Sequence, residues 1–444
     1  MRRSLCPAVR IDPACSMPRR GRNMSAQGNA LGKDLTPQGT PSPERALQEK
    51  ARPHTFRPFR ARRWMVDVSP GRCPGLTCFS PFGARSRVTR RPTAMFVAMI
   101  LAATLADPLP VRGGEPVADD PAQPAASPSD AAIRRALEYL RSSQRPDGAW
   151  ESGGFGPATS VTSLAVMAFL AAGHVPGEPG PYRESIERGI RYVLDHQRSN
   201  GVIASNSSNG PMYCHGISTL MLAEVIGMTD AAETAAQARG ALTRAIKLIL
   251  SAQNRPKGQD HAGGWRYQPN SDDSDISVTG WQLMALRAAK SAGCEVPSEN
   301  IDRAIDYLKR CAVRREGGFA YQPNGSPNNP RTGTGILALE ICGEHLTKEA
   351  VAGAEYLIKH PPRWSGHSFF YEVYYGSLAT FQMGDKYFLS YYPKLVAILL
   401  GHQGKDGSWL SDDAHDRTGG RNYCTAMAVL ALTVEYRYLP IYQR

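Results

Sequence analysis

One phrase in this chain repeats, and that limits what it can become. Gln144-Arg145-Pro146-Asp147-Gly148-Ala149-Trp150 returns as Gln403-Gly404-Lys405-Asp406-Gly407-Ser408-Trp409. Weaker copies lie between them: Gln197 to Val202, Gln253 to Trp265, Gly317-Gly318-Phe319, and Gly366 to Phe369. A unit that recurs about six times in one chain is one supersecondary element that buries its apolar face against its neighbours.

The flanking residues show what the unit is. Ahead of each copy runs an amphipathic stretch, such as Ile186, Ile190, Val193 and Leu194, or Leu242, Ile246 and Leu250. Spacings of three and four are the helical period. Behind each copy, after a polar loop, comes a run rich in small and apolar residues, such as 161–172, 215–226 and 278–289. A helix apolar on all sides is a buried one, and an amphipathic partner covers it. Each repeat therefore predicts a helical hairpin with an outer and an inner helix. The aromatic positions Trp150, Val202, Trp265, Phe319, Phe369 and Trp409 set an uneven period of about 40 to 60 residues. Uneven units argue against an open solenoid of identical repeats. The fold class expected is all-α, a closed α/α toroid of about six hairpins. Within each phrase Gly supplies the turn, Trp packs back on the hairpin, and Gln is expected to satisfy carbonyls at the end of the outer helix.

Charge divides the chain before any motif does. Residues 1–94 hold 19 Lys plus Arg against 5 Asp plus Glu, a net +14, while the whole chain is +12, so the remainder is near −2. This Arg/Pro/Gly-rich extension has no sustained period and reads as a disordered tail or a mis-assigned start rather than a nucleic-acid-binding arm. Arg90-Arg91 then precedes an apolar run, 95–106, with small residues before Asp107 and a Pro/Ala linker over 107–129. That is the anatomy of a secretory signal peptide. Export to the periplasm or beyond is expected, with an uncleaved anchor as the alternative. The toroid itself is assigned to 130–444. Its five cysteines, Cys214, Cys294, Cys311, Cys342 and Cys424, are odd in number and widely spaced, so no disulfide framework is read from them.

The Gln-to-Trp phrases, the Gly-Gly-Trp and Gly-Gly-Phe turns and the paired helices resemble the repeats of squalene-hopene cyclases and of protein prenyltransferase β subunits. The resemblance covers about residues 130–440. It implies a toroid whose inner helices surround a cavity, and it brings two chemical signatures to test. The cyclases protonate a polyene with an Asp in a DxDDT-type motif that follows a Gly-Gly-Trp turn. Here Gly263-Gly264-Trp265 is followed by Asp272-Asp273-Ser274-Asp275. Aligned on Trp281, Asp272 and Asp275 match the flanking carboxylates and Ser274 stands where the donor should be, although a one-residue slip would let Asp273 serve. A carbon double bond is a weak base, so its acid needs burial and carboxylate neighbours. The competing reading is that Asp275 caps the next helix.

The prenyltransferase signature is a zinc site of Asp, Cys and His drawn from successive inner helix starts. The Asp-x-Cys pair is missing, and Cys214, His215 and Cys424 are weak candidates, so no metal and no cofactor is expected. Cys342-Gly343-Glu344-His345 lacks the acyl-donating Gln of a complement-type thioester and reads as a helix end.

At the inner helix starts, Tyr213, His215, Trp265, Tyr267, Tyr371, Glu372, Tyr374, Tyr375 and Tyr423, with Tyr321 and Arg331, are expected to wall the cavity. Aromatic walls stabilise a carbocation or stack on a prenyl chain or a sugar. Tyr391-Tyr392-Pro393-Lys394 and the tail from Tyr436 to Tyr442 are expected to close the ring. The ligands to expect are an isoprenoid or a glycan, with peripheral membrane contact as a further option, no nucleic acid, and no protein partner specified. The resembling cyclases join two such toroids and this chain has one. The function expected is therefore an exported binding or scaffold toroid without complete cyclase chemistry. The alternative is a terpenoid cyclase-like or prenyltransferase-like enzyme acting through Asp272, Asp273 and Asp275.

Overall fold

A computed structural model describes residues 127–154, 156–205, 210–364 and 366–443. The basic extension, the signal-like segment and most of the linker expected before residue 127 lie outside the described residues. No described helix is long and apolar enough to cross a membrane.

Among the described residues the chain forms six helical pairs. The outer helices are α1 (Pro128–Ser143), α3 (Arg183–Asp195), α5 (Ala232–Gln253), α7 (Ser298–Cys311), α9 (Lys348–Lys359) and α11 (Asp385–His402). The inner ones are α2 (Thr159–Ala171), α4 (Met212–Met228), α6 (Ile276–Ser291), α8 (Asn329–Ile341), α10 (Phe369–Met383) and α12 (Ala414–Leu432). The two sets differ as the patterns predicted. In α7 only the stripe of Ile301, Ala304, Ile305, Leu308 and their neighbours is buried. In α2 every residue from Val161 to Ala171 is buried. A two-stranded ribbon, β1 (Glu151–Ser152) with β2 (Gly156–Pro157), joins α1 to α2.

Each inner helix packs on the next, α2 on α4, α4 on α6, α6 on α8, α8 on α10 and α10 on α12, and α12 returns to α2. The ring is closed. Close approach depends on small residues: a Cβ on Gly333 in α8 would lie 2.9 Å from the Tyr375 backbone of α10. The last helix breaks at Gly420 (φ 84°), and its first residues meet the loop after β1, where Gly153 N donates to Gly419 O at 3.0 Å.

The repeated phrase bolts one repeat to the next. The Gln144 amide donates to Gly148 O in its own turn (2.9 Å) and to Ser185 O in the following outer helix (2.9 Å). Gln197 reaches Gly201 and Ala241, Gln253 reaches Gly263 and Asn300, and Gln403 reaches Gly407 and Ala132 in the first helix. The glutamine thus spans two repeats instead of only satisfying its own helix end, and Gln403 seals the ring. Each glutamine oxygen accepts from an arginine of the next outer helix: Arg188, Arg244, Arg303 and Arg135 in turn. The turn glycine must be glycine. Gly263 has φ 90°, and a Cβ there would stand 2.1 Å from Arg303 O. The aromatic wedge follows two residues later. Trp150, Trp265 and Trp409 donate from Nε1 to Leu140, Ile249 and Leu399 carbonyls at 2.7–2.8 Å.

In the second repeat the wedge is Ile203, two residues after Gly201, and not Val202 as the sequence register suggested. Tyr391-Tyr392-Pro393-Lys394 is also not a capping segment, because it lies within α11 with Pro393 inside the helix. The chain end does cover one end of the ring. Ile441 N donates to Glu224 Oε2 of α4 (3.3 Å), Tyr442 and Tyr374 share a hydroxyl bond of 2.5 Å, and Gln382 donates to Tyr442 O.

Candidate functional site

At the opposite end, where the inner helices begin, a cavity of about 560 Å³ opens. Every inner helix contributes to it: Ser160 from α2, Tyr213 and Ile217 from α4, Ser277 and Trp281 from α6, Arg331 from α8, Tyr371 from α10, and His415 and Tyr423 from α12. Tyr267, Tyr321 and His367 add to the wall from the loops. Four residues expected there, Tyr213, Tyr267, Tyr371 and Tyr423, line it, together with Tyr321 and Arg331. Burial pushes the hydroxyls of Tyr213, Tyr321, Tyr371 and Tyr423 well above the usual phenol range, so all four are neutral donors at pH 7.

The others face elsewhere. Trp265 is the turn wedge of repeat three. Tyr374 stacks on Trp281 at 5.4 Å and bonds the chain end, and Tyr375 packs edge-on against the same indole. Glu372 accepts from Asn329 Nδ2 at 2.7 Å and borders a separate groove with His360 and Arg363. Burial raises it to about 7 against that hydrogen bond.

His215 does not reach the cavity. Its Nδ1 accepts from Ile203 N (3.1 Å) and its Nε2 sits 3.1 Å from Ala245 O. Full burial pushes its pKa down to about 4, so the ring is neutral. The other repeats explain the placement. Trp150 N, Trp265 N, Phe319 N and Trp409 N each donate to an inner-helix threonine, namely Thr162, Thr279, Thr332 and Thr425. His215 holds that threonine's place in repeat two, where the smaller Ile203 leaves room for an imidazole.

The weak zinc candidates do not converge. Cys214 Sγ lies 3.5 Å from Ser160 Oγ, Cys424 Sγ lies 3.5 Å from Asp416 O, and both thiols are free and buried. Burial, helped by Asp416, raises the Cys424 thiol well above its usual range, which opposes the thiolate a metal would need.

The carboxylate cluster splits three ways. Asp272 is exposed. Asp273 pairs with Arg266 Nε (3.2 Å) and accepts from Gln322. Asp275 is fully buried and caps α6: its Oδ1 accepts from Ser277 N and Val278 N, both at 2.9 Å, and its Oδ2 faces Arg266 Nη1 at 3.3 Å. Burial raises it to about 6, against the two amides and the guanidinium. Ser274, at the donor position of the cyclase pattern, gives its hydroxyl to His261 O at 2.8 Å.

Arg266 connects this cluster to the cavity wall. Its guanidinium lies 4.4 Å from the Tyr267 ring centre and donates to Tyr321 OH at 2.9 Å, while Tyr267 and Tyr321 share a hydroxyl bond. Arg331 covers Tyr321 at 5.1 Å. Such cation–π pairs hold both the rings and the charges in place.

The sequence reading passed over His367 and His415. Both line the cavity, and with Asp413 they form a cluster whose ligand-type atoms lie within 4.8 Å of one another. Asp413-x-His415 was a visible signal, but its partner lies 46 residues away at the preceding inner helix start.

No family model matches the sequence. Drimenyl diphosphate synthase of Streptomyces showdoensis is 27% identical over 199 residues, which is 45% of this chain and 34% of that protein. The match thus spans about a third of the relative's length. Cellobiose 2-epimerase of Bacillus thermoamylovorans superposes with a TM-score of 0.52 at 13% identity, over 69% of this chain and 98% of that one. The type II terpene cyclase MstE of Scytonema does so with a TM-score of 0.47 at 16% identity, over 70% of this chain and 99% of that one. With the ring closed helix by helix and the epimerase superposing on it, the chain is an α/α toroid.

Proposed function

We propose that this toroid binds an isoprenoid-type ligand in its mouth and that the Asp272–Asp275 cluster does not protonate it. The observation that carries this reading is the engagement of Asp275. One carboxylate oxygen is held by two backbone amides and the other faces a guanidinium. A proton donor to a carbon double bond must point its acid at the substrate with no cation neutralising it. Ser274 cannot replace it.

The ligand class follows from the wall. Six aromatic side chains, Tyr213, Tyr267, Trp281, Tyr321, Tyr371 and Tyr423, face a space of about 560 Å³, a volume suited to a small molecule. They offer π-faces to an unsaturated chain, and Arg331 offers a positive edge to a charged head. The name of the relative, a synthase of drimenyl diphosphate, supports the same class. The expectation of export rests on the residue pattern at 95–106, and N-terminal sequencing of the mature protein tests it.

A cyclase reading draws on one feature, the Asp275 pKa raised to about 6. Titrating the full chain with geranylgeranyl diphosphate and with geranylgeraniol, read by tryptophan fluorescence and followed by product analysis, separates the two. Saturable binding weakened about tenfold in Tyr371→Ala, unaffected in Asp275→Asn, and with no cyclised product is the expected result. A cyclised product that vanishes in Asp275→Asn would establish the enzyme. Binding only to oligosaccharides would move the ligand to the glycans.

A further inference from the structure

We propose that His367, Asp413 and His415 form a site for a divalent transition metal, zinc above all, at the rim of the cavity. The site is independent of what fills the cavity.

The three residues come from two adjacent inner helix starts, and the backbone presets them. Asp413 Oδ1 accepts from Ser368 N (3.1 Å), His415 N (3.0 Å) and Asp416 N (3.3 Å), tying the segment before α10 to the start of α12. Ser368 takes a left-handed conformation (φ 55°) to make that contact. With Oδ1 so held, Oδ2 turns to His367 Nδ1 at 3.3 Å. The two imidazoles stand perpendicular, with centres 4.4 Å apart.

The donor set suits the metal. Two imidazole nitrogens and one carboxylate oxygen are zinc ligands at about 2.0–2.2 Å, and a tetrahedral shell puts neighbouring ligand atoms about 3.3 Å apart. The atoms here lie within 4.8 Å of one another, so small rotations of the exposed histidines complete the shell. Three protein ligands leave a fourth position open, as in sites that bind an exchangeable ligand. That position faces the cavity, because both histidines line it.

The full chain, stripped with EDTA, would be titrated with Co²⁺ and its visible d–d bands recorded, with Zn²⁺ as competitor. Wild type should develop the bands of a low-symmetry, four- or five-coordinate site and lose them to zinc. His367→Ala and His415→Ala should each weaken this binding by about 100-fold or more, and Asp413→Asn, which keeps the cap acceptor, by about tenfold or more. Since both histidines are exposed, far-UV circular dichroism of the variants should match wild type. His196→Ala, outside the cluster, should bind as wild type does, so the loss is read as a difference that cancels binding elsewhere in the chain. Addition of inorganic phosphate should shift the cobalt bands by entering the open position. Absence of the bands in wild type, or wild-type affinity in both histidine variants, would overturn the site. Bands unmoved by phosphate would overturn the open position.

Discussion

The rim and the mouth of this toroid share the same loops and differ in kind. At the rim much of the pattern recurs: a glycine of positive φ against the next outer helix (Gly148, Gly201, Gly263, Gly317, Gly407), a glutamine spanning two repeats (Gln144, Gln197, Gln253, Gln403), an aromatic or aliphatic wedge, and an inner-helix side chain, a threonine or in repeat two His215, receiving the wedge's amide. At the mouth, a few ångströms inward, the helix starts present Ser160, Tyr213, Ser277, Arg331, Tyr371 and Tyr423, with no common rule. The rim faces a neighbour of the same shape every time, so the same residues solve the same packing problem. The mouth faces only whatever enters the cavity.

The hardest test of the rim is Trp265→Ala. Trp265 is 1% exposed and its indole nitrogen is bonded, so its loss should cost about 3–5 kcal/mol. Urea unfolding reads it, and a loss under about 1 kcal/mol would mean the wedge is not what holds the repeat.

Asp275 brings the mouth into the same measurement through pH. Its folded pKa is raised from 3.8 to about 6, so the native state binds the proton more tightly than the unfolded chain. The associated stability is fully present below pH 3.8 and is lost as pH rises through about 6. This amounts to about 2–3 kcal/mol. Asp275→Asn removes the titration and keeps a cap acceptor. The stability of wild type relative to this variant should therefore fall by that amount between about pH 4 and about pH 7. A flat difference would mean that Arg266 and the two amides fully offset burial.

The smallest effect is the most diagnostic. If His215 and Ile203 are the second repeat's version of a threonine and a tryptophan, Ile203→Trp and His215→Thr should each destabilise by about 1–3 kcal/mol. Combined, they should recover about 1–2 kcal/mol of favourable coupling in a double-mutant cycle. Strict additivity would show that repeat two does not follow the rule of the others.

The same contrast explains how far the chain could be read in advance. Hairpins, repeat number and the turn role of Gly263 were legible because each depends on residues close together in sequence, at helical or turn spacing; Trp265, read both as a wedge and as a cavity wall, serves only as the wedge. The cap role of Asp275 was legible for the same reason. The register of Ile203 was not, since an isoleucine carries no turn signal and only the hydrogen bond to His215 marks it. Tyr374 and Tyr375 looked like wall residues, yet the rotation of α10 turns them into the core and leaves Tyr371 at the cavity.

By itself, then, the sequence determined an all-α chain of repeated hairpins and the spacing that lets them close. Burying an apolar helix stripe and stopping a helix at a glycine are local acts, and their sum is the toroid. Tertiary structure alone decided which helix starts face inward. It also decided that Cys214, His215 and Cys424 stay apart, and that His367 meets Asp413 and His415 across 46–48 residues of chain. Those outcomes depend on how each helix is rotated about its axis, which packing against two neighbours fixes and residue spacing does not.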